Sequence, residues 1–410
     1  MSSKGGKRRA GSEARARGGN QSARKPAAAQ REGRQNGRAR ETARPVLITG
    51  GAGFVGTNLA GRLLEAGRRV RVFDDLSRPG VEQNLEWLTE TYGARVEFVR
   101  GDVRDAAAVS GAARDAEAVF HFAAQVAVTT SLVSPVEDFE TNARGTLNVL
   151  EAVRLRTDPP PLVFTSTNKV YGALEDVRLE QKGGRYRPAD PALAASGIGE
   201  SRPLDFHSPY GCSKGAGDQY VLDYARTYRL PALVFRMSCI YGPHQFGNED
   251  QGWVAHFLIR ALEGRPVTLY GDGRQVRDIL FVEDLSDAFL LAWEKADGLA
   301  GRAFNIGGGP ENTTSLLELI DLIGELRGGR RPEVEFAEWR HADQRYYVSD
   351  TRGFRQATGW RPRVGVREGV GRLHRWLLEH RGLSPVPLVA GKDGARAPRG
   401  LTAEAATGRV

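Results

Sequence analysis

A chain of 410 residues, 40% hydrophobic and 26% charged, can bury one large α/β core or two smaller ones. Its formal charge of +8 is unevenly placed: residues 1–44 hold 13 Lys+Arg and 3 Asp+Glu, a net of +10, which leaves residues 45–410 at −2. No run approaches the roughly 18 apolar residues of a membrane span, and two cysteines, Cys212 and Cys239, make no disulfide framework. These features argue against a membrane protein and a disulfide-stapled secreted domain. A reducing, cytoplasmic setting is expected.

Residues 1–44 are rich in Gly, Ala, Arg, Ser and Gln, a composition that predicts a disordered basic tail. Such an arm can touch nucleic acid, but no aromatic platform or groove-reading motif accompanies it, so a nucleic-acid partner is not expected. It has neither the apolar stretch of a secretory signal nor the helical pattern of a mitochondrial leader.

At Pro45 the character changes. Val46–Thr49 reads as a buried strand, followed by Gly50-Gly-Ala-Gly53-Phe54-Val55-Gly56, an apolar-periodic helix over Asn58–Ala66, and a second strand over 69–73 ending at Asp74-Asp75. This is the order of a dinucleotide site. Gly50 suits the tight turn, Gly53 lets backbone approach a pyrophosphate, and Gly56 permits close helix–strand packing. The helix start offers amide donors. Asp74, 24 residues after Gly50, can accept from both ribose hydroxyls and would repel a ribose phosphate, so NAD is expected rather than NADP. A glycine turn that merely packs is the alternative.

The alternation continues with strands at 96–100, 118–122, 162–165 and 232–235, and helices after Asp105, over 139–155 and over 209–228. It predicts an α/β fold, a Rossmann-type doubly wound parallel sheet. Asp102-Val103, Ala123-Ala124-Gln125 and Thr165-Ser-Thr167 follow strands and so fall on the ligand side. Residues 173–208, rich in Pro and Gly, predict an excursion that covers the site or packs.

The run Ser208-Pro-Tyr210-Gly-Cys-Ser-Lys214 combines a helix cap candidate, a proline at the first helical position and two chemical groups four residues apart on one face. An ammonium beside a phenol favours the phenolate, which can take a proton from an alcohol. By itself the spacing also fits an ordinary amphipathic helix. Beyond Met237 the regularity falls away: a helix over 253–262, a strand and helix over 279–296, a strand at 303–306, and helices at 315–327 and 366–380. This part predicts a smaller C-terminal substrate-binding domain over 237–383, interleaved with the sheet near 279–306 and joined to a cofactor domain over 45–236. A second flexible tail is expected over 384–410. Arg236, Arg277 and Arg345 are candidates to pair with a substrate pyrophosphate. No His/Cys cluster has metal-ligand spacing, so no metal is expected.

Taken together, Gly50-x-x-Gly53-x-x-Gly56, Tyr210-x-x-x-Lys214, Val170-Tyr-Gly172 and Asn305-Ile-Gly307 resemble the extended short-chain dehydrogenase/reductases that act on nucleotide sugars. The resemblance covers about residues 45–380. Within that group, Ser166-Thr-Asn-Lys-Val-Tyr-Gly172, Asp205–Gly215, Ser238–Pro243 and Asn248–Phe257 are similar to the CDP-paratose 2-epimerases, also called CDP-tyvelose epimerases. The resemblance implies Tyr210 as base, Lys214 as its electrostatic partner on the nicotinamide ribose, and Thr167 bonded to the reacting hydroxyl. It implies NAD held by Gly50, Gly53, Phe54, Val55, Gly56, Asp74, Asp75, Asp102, Val103, Ala123, Ala124, Gln125 and Thr165. Asn142 would position the helix of Tyr210. A CDP-sugar would meet Asn168, Lys169, Gln251, Arg277 and Arg345, and the protein would be a homodimer pairing through helices 139–156 and 209–228. Dehydratases of the group carry Asp-Glu after that threonine; Asn168-Lys169 here speaks against dehydration. Met237 stands where the relatives lead one to expect histidine. The residues leave open a 4-epimerase, another sugar-nucleotide reaction on the scaffold, and a non-catalytic NAD-binding protein with a nucleic-acid-binding tail.

Overall fold

A computed structural model describes residues 44–340 and 342–380. Apart from Arg44, both expected tails lie outside the described residues. Seven strands form one parallel sheet: β1 (Val46–Thr49), β2 (Val70–Asp74), β3 (Val96–Arg100), β4 (Ala118–His121), β5 (Leu162–Thr167), β6 (Ala232–Met237) and β7 (Ala303–Ile306). Their order is β7-β6-β5-β4-β1-β2-β3. Both β2 and β4 pair with β1, with Val46 opposite Val70 on one side and Ala118 on the other. The strand order therefore reverses at β1, and ligands of open α/β sheets bind beyond the carboxyl ends at such a point.

Side-chain alternation splits the core between two faces. Val46 and Ile48 pack with Phe120, Phe235 and Phe289 under helices Phe54–Glu65 and Val282–Glu294. Leu47 packs with Phe164 and Val234 under helices Gly145–Arg154 and Ser208–Tyr228. A third core gathers Leu258, Phe281, Ile323 and Leu373 from the later elements. The chain crosses back to the sheet between 282 and 306, since Phe289 stacks on Phe235 and β7 pairs with β6.

Some boundaries differ from the pattern-based expectation. The first helix starts at Phe54, because the glycine turn itself begins it. The helix expected over 139–155 starts at Pro135 and is broken by a π turn, Glu140–Arg144. That turn lies where the buried side chains Asp138 and Asn142 bond to the helix Ser208–Tyr228. The excursion 173–208 holds a hairpin, Leu179–Lys182 with Arg185–Pro188. It packs rather than covers: Tyr186 Oη donates to Asp272 at 2.7 Å, and Arg185 reaches Glu318 at 2.5 Å.

Arg236 lies on β6, away from any pyrophosphate position. Its guanidinium forks onto Asp218 at 2.8 and 2.9 Å, with both side chains buried. It also donates to Tyr171 Oη at 3.2 Å, and that hydroxyl donates to Asn305 at 2.8 Å. The Val170-Tyr-Gly172 and Asn305-Ile-Gly307 motifs thus meet in one buried polar chain. Arg236 is a structural partner, contrary to its expected role. Removing one member of a buried pair costs about 3–5 kcal/mol. Asp218→Asn is expected to lose stability of that order, read by denaturant unfolding at fixed NAD; a loss under 1 kcal/mol would contradict the pairing.

Candidate active site

A cleft runs along the carboxyl ends of the strands in two connected parts of ≈ 480 and ≈ 390 Å³, both touching Gly50, Gly53, Arg78 and Gln251. In the smaller part the glycine turn is built by close approach. Gly50 has φ +69°, and a Cβ there would lie 2.7 Å from Ala123 N. A Cβ on Gly56 would lie 2.4 Å from the Gly50 carbonyl oxygen. The helix that follows has no side-chain cap, which leaves its first amides free for a ligand. Asp74, at the end of β2, accepts from Ala52 N and Leu76 N, both at 3.0 Å. Burial pushes its pKa up, and those two amides oppose the shift. Asp102 is held by Arg104 at 2.8 Å, which lowers its pKa. Asp75, Val103, Ala123, Ala124 and Gln125 complete this wall. Asn142 is not in it; it lies behind, bonded to Gln125 N and to Ser213 Oγ at 2.9 and 3.0 Å.

The larger part brings Phe54, Val55 and Gly56 together with Thr165, Thr167, Tyr210 and Lys214. The helix Ser208–Tyr228 delivers the last two. The helix begins at Ser208, one position before the expected start, with Pro209 in its first turn; His207 at the cap makes no side-chain bond, and Ser208 Oγ accepts from Gly211 N at 3.3 Å. Thr167 lies beside Tyr210 and favours its ionised form.

The electrostatics differ from the expectation. Burial pushes the Tyr210 phenol up to about 12, while Thr167 and Arg78 pull it down. Arg78 is a cation that acts on it. Lys214 is itself buried, its Nζ 4.4 Å from the Phe164 ring centroid, and burial lowers its pKa to about 7. Desolvation of both groups outweighs the local attraction that a four-residue spacing suggests.

The far wall carries polar groups from many segments. Asn168 donates to Gln344 at 2.8 Å. Lys169 and Arg277 share Asp343, at 3.6 and 2.7 Å. Burial raises the Asp343 pKa, but the two cations together hold it below its ordinary value. Gln251 accepts from Arg78 at 2.5 Å. Met237 faces the cleft in register with Thr167. Arg345 does not reach the cleft; it is exposed and stacks over Trp339 at 5.3 Å. Arg340 takes that place, 3.8 Å over the Tyr270 ring and bonded to the Glu249 carbonyl.

The model of the NAD dependent epimerase/dehydratase family matches residues 46–307. The chain belongs to that family. It is 43% identical over 340 residues to the CDP-paratose 2-epimerase of Salmonella typhi, covering 81% of this chain and 98% of the relative. It is 35% identical over 343 residues to the dTDP-glucose 4,6-dehydratase of Streptomyces antibioticus, covering 82% and 93%. The crystal structure of a UDP-glucose 4-epimerase from Thermus thermophilus in complex with NAD superposes with a TM-score of 0.67 at 34% identity, covering 82% of this chain and 99% of that one.

The cleft of this family member fits NAD: uncapped amides at a glycine turn too tight for any Cβ suit a pyrophosphate, and an ionisable carboxyl at the end of β2 suits a ribose diol. Three cleft residues, Arg78, Arg340 and Asp343, went unnoticed in the sequence, where nothing marks them: the partners of Asp343 are the distant Lys169 and Arg277. Asp74→Ala is expected to cost about 1.5–3 kcal/mol of NAD binding, roughly ten- to a hundredfold in Kd, and to spare NADP. Titration of both cofactors checks this; an unchanged ratio contradicts it.

Proposed function

We propose that the chain inverts carbon 2 of a CDP-linked hexose, in the manner of the CDP-paratose to CDP-tyvelose conversion. The observation that carries this is the gathering of Thr167, Tyr210 and Lys214 in the larger part of the cleft, beside the glycine turn, in a chain alike to the Salmonella typhi 2-epimerase along 98% of that relative's length. Asn168-Lys169 leaves Thr167 without the acid pair directly after it that the sequence reading associates with elimination of water, which separates this reading from a dehydratase.

Gly50, Gly53, Gly56, Asp74 and Asp102 would hold NAD. When bound, NAD supplies reversible hydride acceptance beside the sugar carbon and, oxidised, a positive charge near the phenol. Thr167 orients the reacting hydroxyl, and Tyr210 takes its proton. Burial opposes that step, so the phenolate depends on cations in the cleft, of which Arg78 already acts on it. Lys214 adds a charge deeper in the same wall. Arg277, fixed by Asp343, and Arg340 hold the nucleotide diphosphate. The larger part of the cleft gives the flattened keto sugar room to present its other face, and Tyr210 then returns the proton.

The division of labour follows: residues 45–236 serve the cofactor and 237–380 mainly the sugar nucleotide. Phe139, Leu155, Tyr220 and Tyr228 are exposed on the helices proposed to pair in a homodimer. The cysteines Cys212 and Cys239 are free, which supports a reducing compartment such as the cytoplasm.

Incubation with CDP-paratose and CDP-glucose, read by NMR, is expected to show inversion at carbon 2. Tyr210→Phe should lower kcat by about 10²–10⁴. Inversion at carbon 4 instead would favour the 4-epimerase reading. Light scattering at micromolar concentration should give a dimer mass, and Leu155→Glu with Tyr220→Glu a monomer; a monomeric unsubstituted protein sinks the pairing.

A further inference from the structure

Beneath the turn that carries Tyr210 and Lys214 lies a carboxylate with no part in the steps above. Asp138, from the helix Pro135–Phe139, is 1% exposed. Its Oδ1 accepts from Gln125 Nε2 at 2.9 Å and Asn142 Nδ2 at 3.1 Å, and its Oδ2 accepts from Ser213 Oγ at 2.5 Å. Ser213 lies between Tyr210 and Lys214 on their helix. These partners are neutral amides and a hydroxyl. A buried carboxylate so placed needs an opposite charge nearby.

Lys214 provides it. Burial pushes the Asp138 pKa up, and the Lys214 ammonium pulls it down. In return Asp138 is the foremost charge keeping Lys214 protonated, ahead of Asp218, whose oxygens are already forked onto Arg236. The other charged neighbours face elsewhere. Glu137 lies 3.9 Å from Arg104, and Glu140 pairs with Arg144 at 2.6 Å. His121, on β4 near Lys214, is neutral, its pKa lowered by burial to about 3. Tyr210 feels Asp138 as a repulsion and Arg78 as an attraction.

We infer that Asp138 is a positioning residue for this reaction: its bond to Ser213 sets the turn bearing Tyr210 and Lys214, and its charge sets the pH range in which that pair works. The role in turnover rests on the epimerase reading; the control of charge does not. Deleting the negative charge lowers both proton affinities. The phenolate loses a repulsion, and the ammonium loses an attraction.

Asp138→Asn removes the charge and keeps one acceptor oxygen, enough for Ser213 or for the Gln125 and Asn142 amides but not for both. In the full chain with NAD bound, both limbs of the kcat/KM profile are expected to move to lower pH, by on the order of one unit. The tyrosinate absorbance of Tyr210, obtained by difference against Tyr210→Phe, should move the same way. That titration needs no sugar, so it tests Asp138 even if the proposed substrate is wrong. Asp138→Ser, which leaves room for a water, supplies the same readings should the first variant fold poorly. Ser213→Ala keeps the charge and should lower kcat with the limbs in place. A variant that loses stability or rate while both limbs and the tyrosinate titration stay put overturns the inference, since a merely structural acid would behave so.

Discussion

The fork of Arg236 onto Asp218 ties the catalytic helix to the sheet. Asp218 lies two turns along the helix from Tyr210 and Arg236 lies on β6, so the bond fixes how deep the helix sits. Through Tyr171 and Asn305 the same chain of bonds reaches the turn after β5 and the end of β7. Thr167 is at the end of β5, beside Tyr210 in the cleft. A shift in the ion pair would therefore appear as a shift between hydroxyl-orienting and proton-taking groups. Placing a full charge pair in the core is expensive; here it secures geometry in which small displacements matter.

A second layer of polar groups sits on the other side of that helix. Asn142 and Asp138, on the wall beside β4, hold Ser213 from below, while Gln125 links them to the strand end that lines the cofactor part of the cleft. The π turn interrupts the helix between them. Such turns recur at functional sites because they redirect inward side chains without ending a helix.

The cofactor part of the site was legible because its requirements are local. Gly50, Gly53 and Gly56 follow a strand at fixed spacing, and Asp74 ends the next one. Tyr210 and Lys214 were legible as neighbours on one helical face. Their pKa directions were not, because burial is a property of the assembled fold. Arg340 and Arg345 lie in one short run that turns at Ala342, with φ +56°, and of the two Arg340 lines the cleft. Nothing in residue type signals that turn. Arg236 looked like a ligand for phosphate because its partner Asp218 is 18 positions away and on another element. Asp138 falls just before the helix expected over 139–155, so nothing in the sequence pattern marked it. The parallel, doubly wound sheet was foreseeable from strand–helix alternation, whereas the short strands past Met237 carry too few residues to show a period.

Among the described residues, crowded glycines of two kinds have different mutational futures. At Gly215 an added methyl would strike the ring of Phe206, and at Gly101 the ring of Phe73. A smaller residue at the neighbouring position could make room, so a path of two substitutions exists. At Gly50 and Gly56 the obstructing atoms all belong to main chain. No exchange of side chains elsewhere can remove a peptide unit, so divergence at these two positions is closed however freely the remainder of the molecule drifts.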